Sequence, residues 1–296
     1  MINGFTLGEE RLKQQLESSQ ADYVFVTTLS DDFIVFGANW FKSLQKINEH
    51  ENCVVVCLNR PGYNALRSLN IPAVLLEVQN FINRDRSDWI EIEKYYKAAG
   101  PVYIAHKYKK DIIFSDADIA FYKNPVSKLK EEIAKGNDIV VVSDKRFDPH
   151  VVGRKKGRLV MLDWDKKSTT DYGFQDQALY GEPNGAFGYF PCSERAISLM
   201  GVLSPSSDYT KAFPVGIEAG AAQTIFNKRL KELNIKLKVL SVFEFPNGSV
   251  WKVPYLREKI EKDCYLVHYN FCDLCDPIPS RDYKIEWMKK DGNWLL

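Results

Sequence analysis

Apolar strand-like segments alternate with helical segments throughout the first half of the chain. Residues 23–28 and 53–58 have the apolar, β-branched character of buried strands, and apolar residues recur at helical spacing over residues 36–47 between them. Further strand segments follow at 73–76 and 139–142. Two parallel strands need a crossover connection, which is usually a helix, and this alternation supplies one. The sequence therefore predicts an α/β fold with a mostly parallel sheet flanked by helices.

The second half of the chain is less regular. Gly and Pro are frequent from residue 144 onward, and the clearest elements are strands at 187–190 and 239–245 and a helix at 219–233. No low-complexity linker and no internal repeat divides the sequence. We therefore predict a single domain over residues 1–296.

The charged residues nearly balance. There are 40 Lys and Arg against 39 Asp and Glu, which gives a net charge of +1 over 296 residues. Such a chain lacks the broad positive field that binds nucleic acid or anionic membranes, so neither partner is expected. No apolar run approaches the ~20 residues that cross a bilayer, and the first residues lack a signal-peptide pattern. With six scattered cysteines, we expect a cytoplasmic protein without a transmembrane segment.

Two carboxylates follow the apolar strand segment that begins at residue 111. Asp116 and Asp118 are two positions apart, and in an extended strand the side chains of residues i and i+2 point in the same direction. Two like charges so close repel each other, which favours a divalent metal between them. The alternative is a strand end with two solvated acids. Because open α/β sheets bind ligands at the carboxyl ends of their strands, the position favours the metal site.

The glycine-rich loops that commonly bind phosphate are missing from the sequence. Neither G-x-x-x-x-G-K-[ST] nor G-x-G-x-x-G follows the first strand, which argues against a P-loop NTPase and a dinucleotide-dependent oxidoreductase. A protein that binds a diphosphate without such a loop needs another source of positive charge. A metal on Asp116 and Asp118 would supply it.

Five short motifs occur in a fixed order along the chain. They are Ile112-Ile113-Phe114-Ser115-Asp116-Ala117-Asp118 with Asn124-Pro125, Asn184-Gly185-Ala186-Phe187-Gly188-Tyr189, Phe245-Pro246-Asn247-Gly248, Val267-His268-Tyr269-Asn270, and Lys284 with Gly292-Asn293-Trp294. In this order they resemble the nucleotide-diphospho-sugar transferases of GT-A fold, in particular glycosyltransferase family seventy-seven. The resemblance covers about residues 22–296. It implies a GT-A-like, Rossmann-like sheet, with a nucleotide-binding half at about 1–143 and an acceptor-binding half at about 144–296.

The resemblance implies a metal-dependent glycosyltransferase. Such an enzyme moves a sugar from a nucleoside-diphosphate sugar, here with UDP expected, to a hydroxyl of a glycan or glycoconjugate acceptor. Asp116, Asp118 and His268 would hold Mn²⁺ or Mg²⁺, and Lys284 would balance phosphate charge during the reaction. The residues that would bind the donor are Thr27, Thr28, Asn59, Asp116, Asn184, Gly185 and Gln223. From the residues alone, a core histidine at 268 and a solvated lysine at 284 remain alternatives.

One position departs from the family pattern. Where the family usually has Asp-Gln, this chain has Ala222-Gln223, so a carboxylate often placed near the reacting sugar is missing. Glu218, one helical turn earlier, or Asp176 replaces it, or the chemistry does not need it. An inverting reaction would use Glu218, Asp171 or Asp176 as a base. The family's retaining reaction needs no dedicated base, and retention is expected here.

Two other functions fit part of the sequence. Aspartyl phosphatases also place Asp-x-Asp at a strand end, with the first carboxylate as nucleophile and the second as general acid. A non-catalytic carbohydrate-binding protein would explain Ala222. Exposed aromatic residues suit sugar stacking, and the residues expected to line an acceptor groove are Trp164, Tyr172, Trp251 and Trp287.

Overall fold

The computed structural model describes residues 4–77, 97–143, 146–148, 158–160, 183–201, 230, 232–270 and 281–296. Its main sheet contains β1 (Tyr23–Leu29), β2 (Cys53–Cys57), β3 (Ala73–Leu75), β4 (Asp111–Ser115), β6 (Ile139–Ser143), β9 (Pro183–Phe190) and β10 (Leu237–Val239). Two smaller sheets pair β5 (Ile119–Phe121) with β11 (Leu266–His268) and β7 (Arg146–Asp148) with β8 (Arg158–Val160). The strand order in the main sheet is β10-β6-β9-β4-β1-β2-β3.

Most strands of the main sheet run parallel to their neighbours. β1 pairs in parallel with β2 and β4, β2 pairs with β3, and β10 pairs with β6. β9 is antiparallel to both of its neighbours, β4 and β6. The predicted α/β fold with a mostly parallel sheet is therefore confirmed. Because β1, β2 and β4 are parallel, their carboxyl ends meet at one edge of the sheet.

Helices cover both faces of this sheet. They are α1 (Glu9–Ser18), α2 (Ile34–Lys46), α3 (Arg60–Ser68), α4 (Ala99–Tyr108), α5 (Val126–Ala134), α6 (Glu194–Gly201), α7 (Gly248–Trp251), α8 (Pro254–Ile260) and α9 (Arg281–Lys290). Alternate residues of a strand point to opposite faces, so β1 contributes to two cores. Phe25 packs in one core with Phe36 of α2, whereas Val24 packs in the other with Leu16 of α1 and Ile104 of α4.

Residues 239–245 form a strand only at their first residue, so the strand predicted there is wrong. β10 ends at Val239, and the backbone N–H of Phe245 donates to the carbonyl of Ser241 at 2.9 Å, which closes a turn. The ring of Phe245 is buried and stacks on Tyr265 with the centroids 5.0 Å apart. Core packing of turn residues therefore produced the apolar pattern that resembled a strand.

The helix predicted over residues 219–233 lies almost entirely outside the described residues. Among the helices that the structure does describe, none has both the length and the apolar character that a bilayer crossing requires.

The small sheet of β5 and β11 joins the two halves of the chain at the edge where β4 ends. Its antiparallel register places His268, the last residue of β11, opposite Ile119, the first residue of β5. β5 follows β4 after only three residues, 116–118. The late histidine motif therefore lies beside the acidic pair, although about 150 residues separate them in sequence.

Gly188 allows β9 to pack closely against β6, and this predicts a position that tolerates no side chain. A Cβ atom at Gly188 would lie 2.7 Å from the Val140 carbonyl oxygen and 2.9 Å from Val141 Cγ1. We expect Gly188→Ala to lower the free energy of unfolding by about 1–3 kcal/mol, because the backbone of β6 must move. Urea denaturation monitored by circular dichroism measures this change.

Gly185, on the same strand, provides the matched control. A Cβ atom there would meet nothing within 4 Å among the described residues, so Gly185→Ala should change the unfolding free energy by no more than about 0.5 kcal/mol. Equal changes in unfolding free energy for the two substitutions would show that the close approach of β6 at Gly188 is not the cause of the destabilisation.

Candidate metal and donor site

The acidic pair lies in the tight connection between β4 and β5. The backbone N–H of Asp116 donates to the Ala186 carbonyl of β9 at 2.7 Å, and the N–H of Ile119 donates back to the Asp116 carbonyl at 3.3 Å. Residues 117 and 118 are therefore part of a turn and not of an extended strand. The expected strand end is correct, but the predicted reason for the convergence is wrong, since a turn brings the carboxylates of Asp116 and Asp118 together.

Buried hydrogen bonds fix the start of this turn. The Ser115 hydroxyl accepts from Trp40 Nε1 at 3.0 Å and donates to the Asp116 carbonyl at 3.0 Å. Trp40 and Ser115 are both fully buried. The Trp40 indole packs in the hydrophobic core between α2 and the sheet. The hydrogen bond to Ser115 therefore holds the Asp116 backbone to this core.

His268 completes a cluster of three possible metal ligands. Its Nε2 atom lies 3.3 Å from Asp118 Oδ1 and 3.7 Å from Asp116 Oδ2. One ligand atom from each of the three residues lies within 4.8 Å of the others. Two carboxylate oxygens and an imidazole nitrogen form a donor set that suits Mn²⁺, so the residues present fit the predicted ion.

Two lysines neutralise the carboxylates in this structure. Lys284 of α9 places Nζ 2.5 Å from Asp118 Oδ2, and Lys97, just before α4, forms an ion pair with Asp116 Oδ1. The Lys97 ammonium also lies 5.1 Å above the ring centroid of Phe114. Lys284 was predicted near the phosphates, whereas Lys97 was missed, because no local pattern around residue 97 indicates that it reaches the acidic pair.

The environment keeps Asp118 ionised. Burial alone would raise the pKa of this carboxyl, but the Lys284 ammonium and the His268 imidazole beside it hold the pKa well below its ordinary value. Asp118 is thus a buried anion at neutral pH, paired with the Lys284 ammonium.

The residues predicted to contact the nucleotide lie at the same edge of the sheet. Thr27 is fully buried, and its hydroxyl has no hydrogen-bond partner among the residues that the structure describes. The Thr28 hydroxyl donates to the Lys97 carbonyl at 2.9 Å. Asn59 caps the N-terminus of α3 and donates from Nδ2 to Asp31 Oδ1 at 2.7 Å. Donor binding by the three residues stays a prediction, and the contacts of Thr28 and Asn59 show structural roles as well.

The β9 residues predicted to meet the sugar flank the acidic turn. The Asn184 side chain accepts from the Ala186 N–H at 2.8 Å, and the Ala186 carbonyl accepts the backbone N–H of Asp116. Gly185 lies between them, and no described residue comes within 4 Å of where its Cβ atom would lie. The backbone thus places Asn184 and Gly185 beside Asp116, and their contact with a sugar stays a prediction.

Several predicted positions lie outside the described residues: Asp171, Asp176, Glu218, Ala222, Gln223, Trp164 and Tyr172. Of the other two aromatic residues expected at an acceptor groove, Trp287 is half-buried on α9. Trp251 is only 1% exposed, so its assignment to an open groove is wrong. Its indole N–H donates to a buried carboxylate, which accounts for its place in the core.

Comparison with known families places the site within a recognised sequence pattern. The model of a family described as nucleotide-diphospho-sugar transferase matches residues 105–276, more than half of the chain. This range contains Asp116, Asp118 and His268. No curated protein matches the chain. Membership of glycosyltransferase family seventy-seven in particular stays a prediction.

Two solved glycosyltransferase structures, those of LgtC and GlyE, share the fold. Galactosyltransferase LgtC, in complex with donor and acceptor sugar analogs, is 12% identical with a TM-score of 0.51, and the match covers 91% of this chain and 94% of LgtC. Glycosyltransferase GlyE from Streptococcus pneumoniae TIGR4 is 11% identical with a TM-score of 0.50, covering 94% of this chain and 61% of GlyE. Bifunctional glycosyltransferase WbbM is 12% identical with a TM-score of 0.49, covering 85% of this chain and 46% of WbbM. The match thus spans 46% of the length of WbbM and 61% of the length of GlyE.

The depressed pKa of Asp118 predicts how the stability of the metal-free protein depends on pH. The unfolded carboxyl titrates near 3.9, and the folded one titrates below that value, so its contribution is present above about pH 4 and is lost as pH falls through the folded pKa. In EDTA, the difference in unfolding free energy between wild type and Asp118→Asn should shrink as pH falls below about 4. Urea denaturation across this range measures it. A difference that grows as pH falls below about 4 would contradict the assigned ionisation.

Proposed function

The chain belongs to the nucleotide-diphospho-sugar transferase family and is a glycosyltransferase, and on this premise we propose that it transfers a sugar from a UDP-sugar to a hydroxyl of a glycan or glycoconjugate acceptor in a metal-dependent, retaining reaction. One observation carries the proposal. Asp116, Asp118 and His268 converge within 4.8 Å at the edge where β1, β2 and β4 end. Open α/β sheets bind nucleotides at this edge.

Leaving-group charge is the main difficulty of such a transfer. The departing diphosphate gains negative charge, so groups that stabilise this charge lower the barrier most. A bound Mn²⁺ or Mg²⁺ would neutralise part of the diphosphate charge and orient its oxygens. Mn²⁺ is the better candidate of the two ions, because it accepts an imidazole nitrogen as a ligand more readily than Mg²⁺ does. Mg²⁺ prefers oxygen ligands.

The lysines would add positive charge around the same leaving group. Lys97 and Lys284 each pair with one carboxylate of the acidic pair. With a dication on these carboxylates, the two ammonium groups would still lie beside the acidic pair and would add positive charge near the phosphate oxygens. The site therefore has the charge to hold a diphosphate without a glycine-rich loop.

The remaining roles follow the family resemblance. Thr27, Thr28 and Asn59 would line the nucleotide, and Asn184 and Gly185 would meet the sugar near Asp116. In a retaining reaction the acceptor hydroxyl attacks from the face that the diphosphate leaves, and a departing phosphate oxygen takes its proton. This route requires no carboxylate at residue 222, where this chain has alanine.

The two alternative functions of the sequence analysis lose support. In an aspartyl phosphatase the first carboxylate must reach a phosphate as a nucleophile. Here both carboxylates face one imidazole, in an arrangement typical of metal ligands. A non-catalytic binding protein that kept the fold and lost activity is disfavoured because all three candidate metal ligands, which such a protein need not retain, are present and converge.

Metal-dependent donor binding tests the proposal directly. We expect UDP-sugars, screened by thermal shift against other nucleotide sugars, to raise the melting temperature only when Mn²⁺ is present. Asp116→Asn and Asp118→Asn should abolish this shift and lower donor hydrolysis by about 10²–10³-fold, the loss seen when one charge-stabilising group is removed. His268→Gln should weaken Mn²⁺ binding in the same assays.

Asp263→Asn is the control for these variants. Asp263 is a solvated carboxylate, with a side chain 84% exposed and 3.8 Å from Lys123, so its loss should leave binding and hydrolysis unchanged. Near-normal turnover by a folded Asp118→Asn protein would refute the metal role. Stabilisation by UDP-sugars in EDTA would refute the metal dependence.

A further inference from the structure

The carboxylate of Asp291, just after α9, is buried and satisfied by donors from three different elements. Its side chain is 0% exposed. Oδ1 accepts from Arg257 of α8 at 2.5 Å, and Oδ2 accepts from Trp251 Nε1 of α7 at 2.9 Å and from the Tyr269 hydroxyl at 3.0 Å. Tyr269 directly follows β11. Asp291 therefore fastens α7, α8 and β11 to the end of α9 at one point.

A buried charge of this kind contributes little to net stability. Desolvation offsets most of the Coulombic gain, and apolar residues of similar size are often at least as stabilising. A fully satisfied polar network does fix geometry, because each donor and acceptor has one favourable position. Asp291 is thus better understood by what it positions than by how much it stabilises.

Tyr269 connects this network to the candidate metal site. It follows the ligand His268, and its backbone N–H donates to the Asp118 carbonyl at 3.0 Å. Its hydroxyl, at the other end of the side chain, donates to Asp291. A displacement of the Tyr269 ring would therefore move the backbone that joins His268 to Asp118.

Asn293 extends the network to the other strand of the small sheet. Its Nδ2 atom donates to the Tyr269 hydroxyl at 2.5 Å and also to the hydroxyl of Tyr122, which directly follows β5. β5 begins immediately after Asp118. The strands next to two of the three candidate ligands are thus held by one cluster of side chains.

Asp291 also fixes the position of Lys284. Lys284 precedes Asp291 by seven residues, or about two helical turns, so both residues lie on one face of the helix. The backbone N–H of Asp291 donates to the Trp287 carbonyl at 3.0 Å, which continues the helical hydrogen bonding to that point. Fixing Asp291 therefore fixes the position from which Lys284 reaches Asp118.

We propose that Asp291 is a positioning residue that sets the geometry of His268 and Lys284 around Asp118 and thereby controls metal affinity without touching the metal. The inference rests on the proposed function, because it requires that the cluster bind a dication. Asp291→Asn would retain the size of the side chain but remove its charge and present an NH₂ group to donors. The Arg257, Trp251 and Tyr269 donors would then no longer share one carboxylate. The Tyr269 side chain would be held less firmly, and with it the backbone between His268 and Asp118.

Binding of Mn²⁺ alone to the full chain tests this inference. Electron paramagnetic resonance of free Mn²⁺, at a temperature where every variant is folded, gives the affinity without any turnover. We expect Asp291→Asn to bind Mn²⁺ about 10–100-fold more weakly than wild type, as substitutions behind metal ligands do. Tyr269→Phe, which removes only one hydroxyl, should weaken binding about tenfold and serves if Asp291→Asn fails to fold.

Asp111→Asn is the matched control. Asp111, at the opposite end of β4, also accepts a tyrosine hydroxyl, that of Tyr189, and accepts the Cys192 N–H at 2.6 Å. Its substitution should lower the unfolding free energy but leave Mn²⁺ affinity unchanged. Wild-type Mn²⁺ affinity in both Asp291→Asn and Tyr269→Phe would overturn this inference but not the proposed function. Equal loss in Asp111→Asn would reduce it to general destabilisation, and a wild type that binds no Mn²⁺ would overturn the metal-dependent function as well.

Discussion

Electrostatic repulsion between Asp116 and Asp118 is the constraint on which the site depends. A turn at the end of a buried strand brings two anions to one point, where water screens them poorly. Two cations from distant parts of the chain offset this repulsion, Lys97 before α4 and Lys284 on α9, and the His268 imidazole of β11 lies beside both carboxylates. The two ion pairs stabilise the carboxylates in this structure. The same groups provide the ligands that a dication would need and positive charge for a diphosphate.

The rest of the fold keeps this turn in place. β4 lies next to β1 and β9 in the sheet, and the Trp40 indole holds Ser115 from the helix layer. β9 is antiparallel to β4 and β6, and this direction brings its Asn184-Gly185 segment beside Asp116. Layers of buried side chains on both faces of the sheet make these contacts rigid, as a site that must hold charge in a fixed geometry requires.

The sequence predicted what depends on local pattern and missed what depends on distant contacts. Continuous apolar runs identified β1, β2 and β6, and the position of the acidic pair after such a run identified the carboxyl edge of the sheet. The turn at Asp116 could not be distinguished from an extended strand, because its geometry is set by β9. Lys97 is held by Thr28, 69 residues away, and Lys284 meets Asp118 across 166 residues, so neither contact leaves a local signal. His268 and Lys284 were found only through family resemblance, and Lys97 was not found.

The last residues of the chain are fastened to the first half of the fold. Asn39 of α2 donates to the Asn293 carbonyl across 254 residues and accepts the backbone N–H of Leu295. Loop closure over such a separation is slow and gains nothing until both ends are present. The end of α9 and the Asn293 side chain can therefore reach their final positions only after residues 293–295 have been synthesised and have met α2, so this side of the charged cleft is completed late in folding.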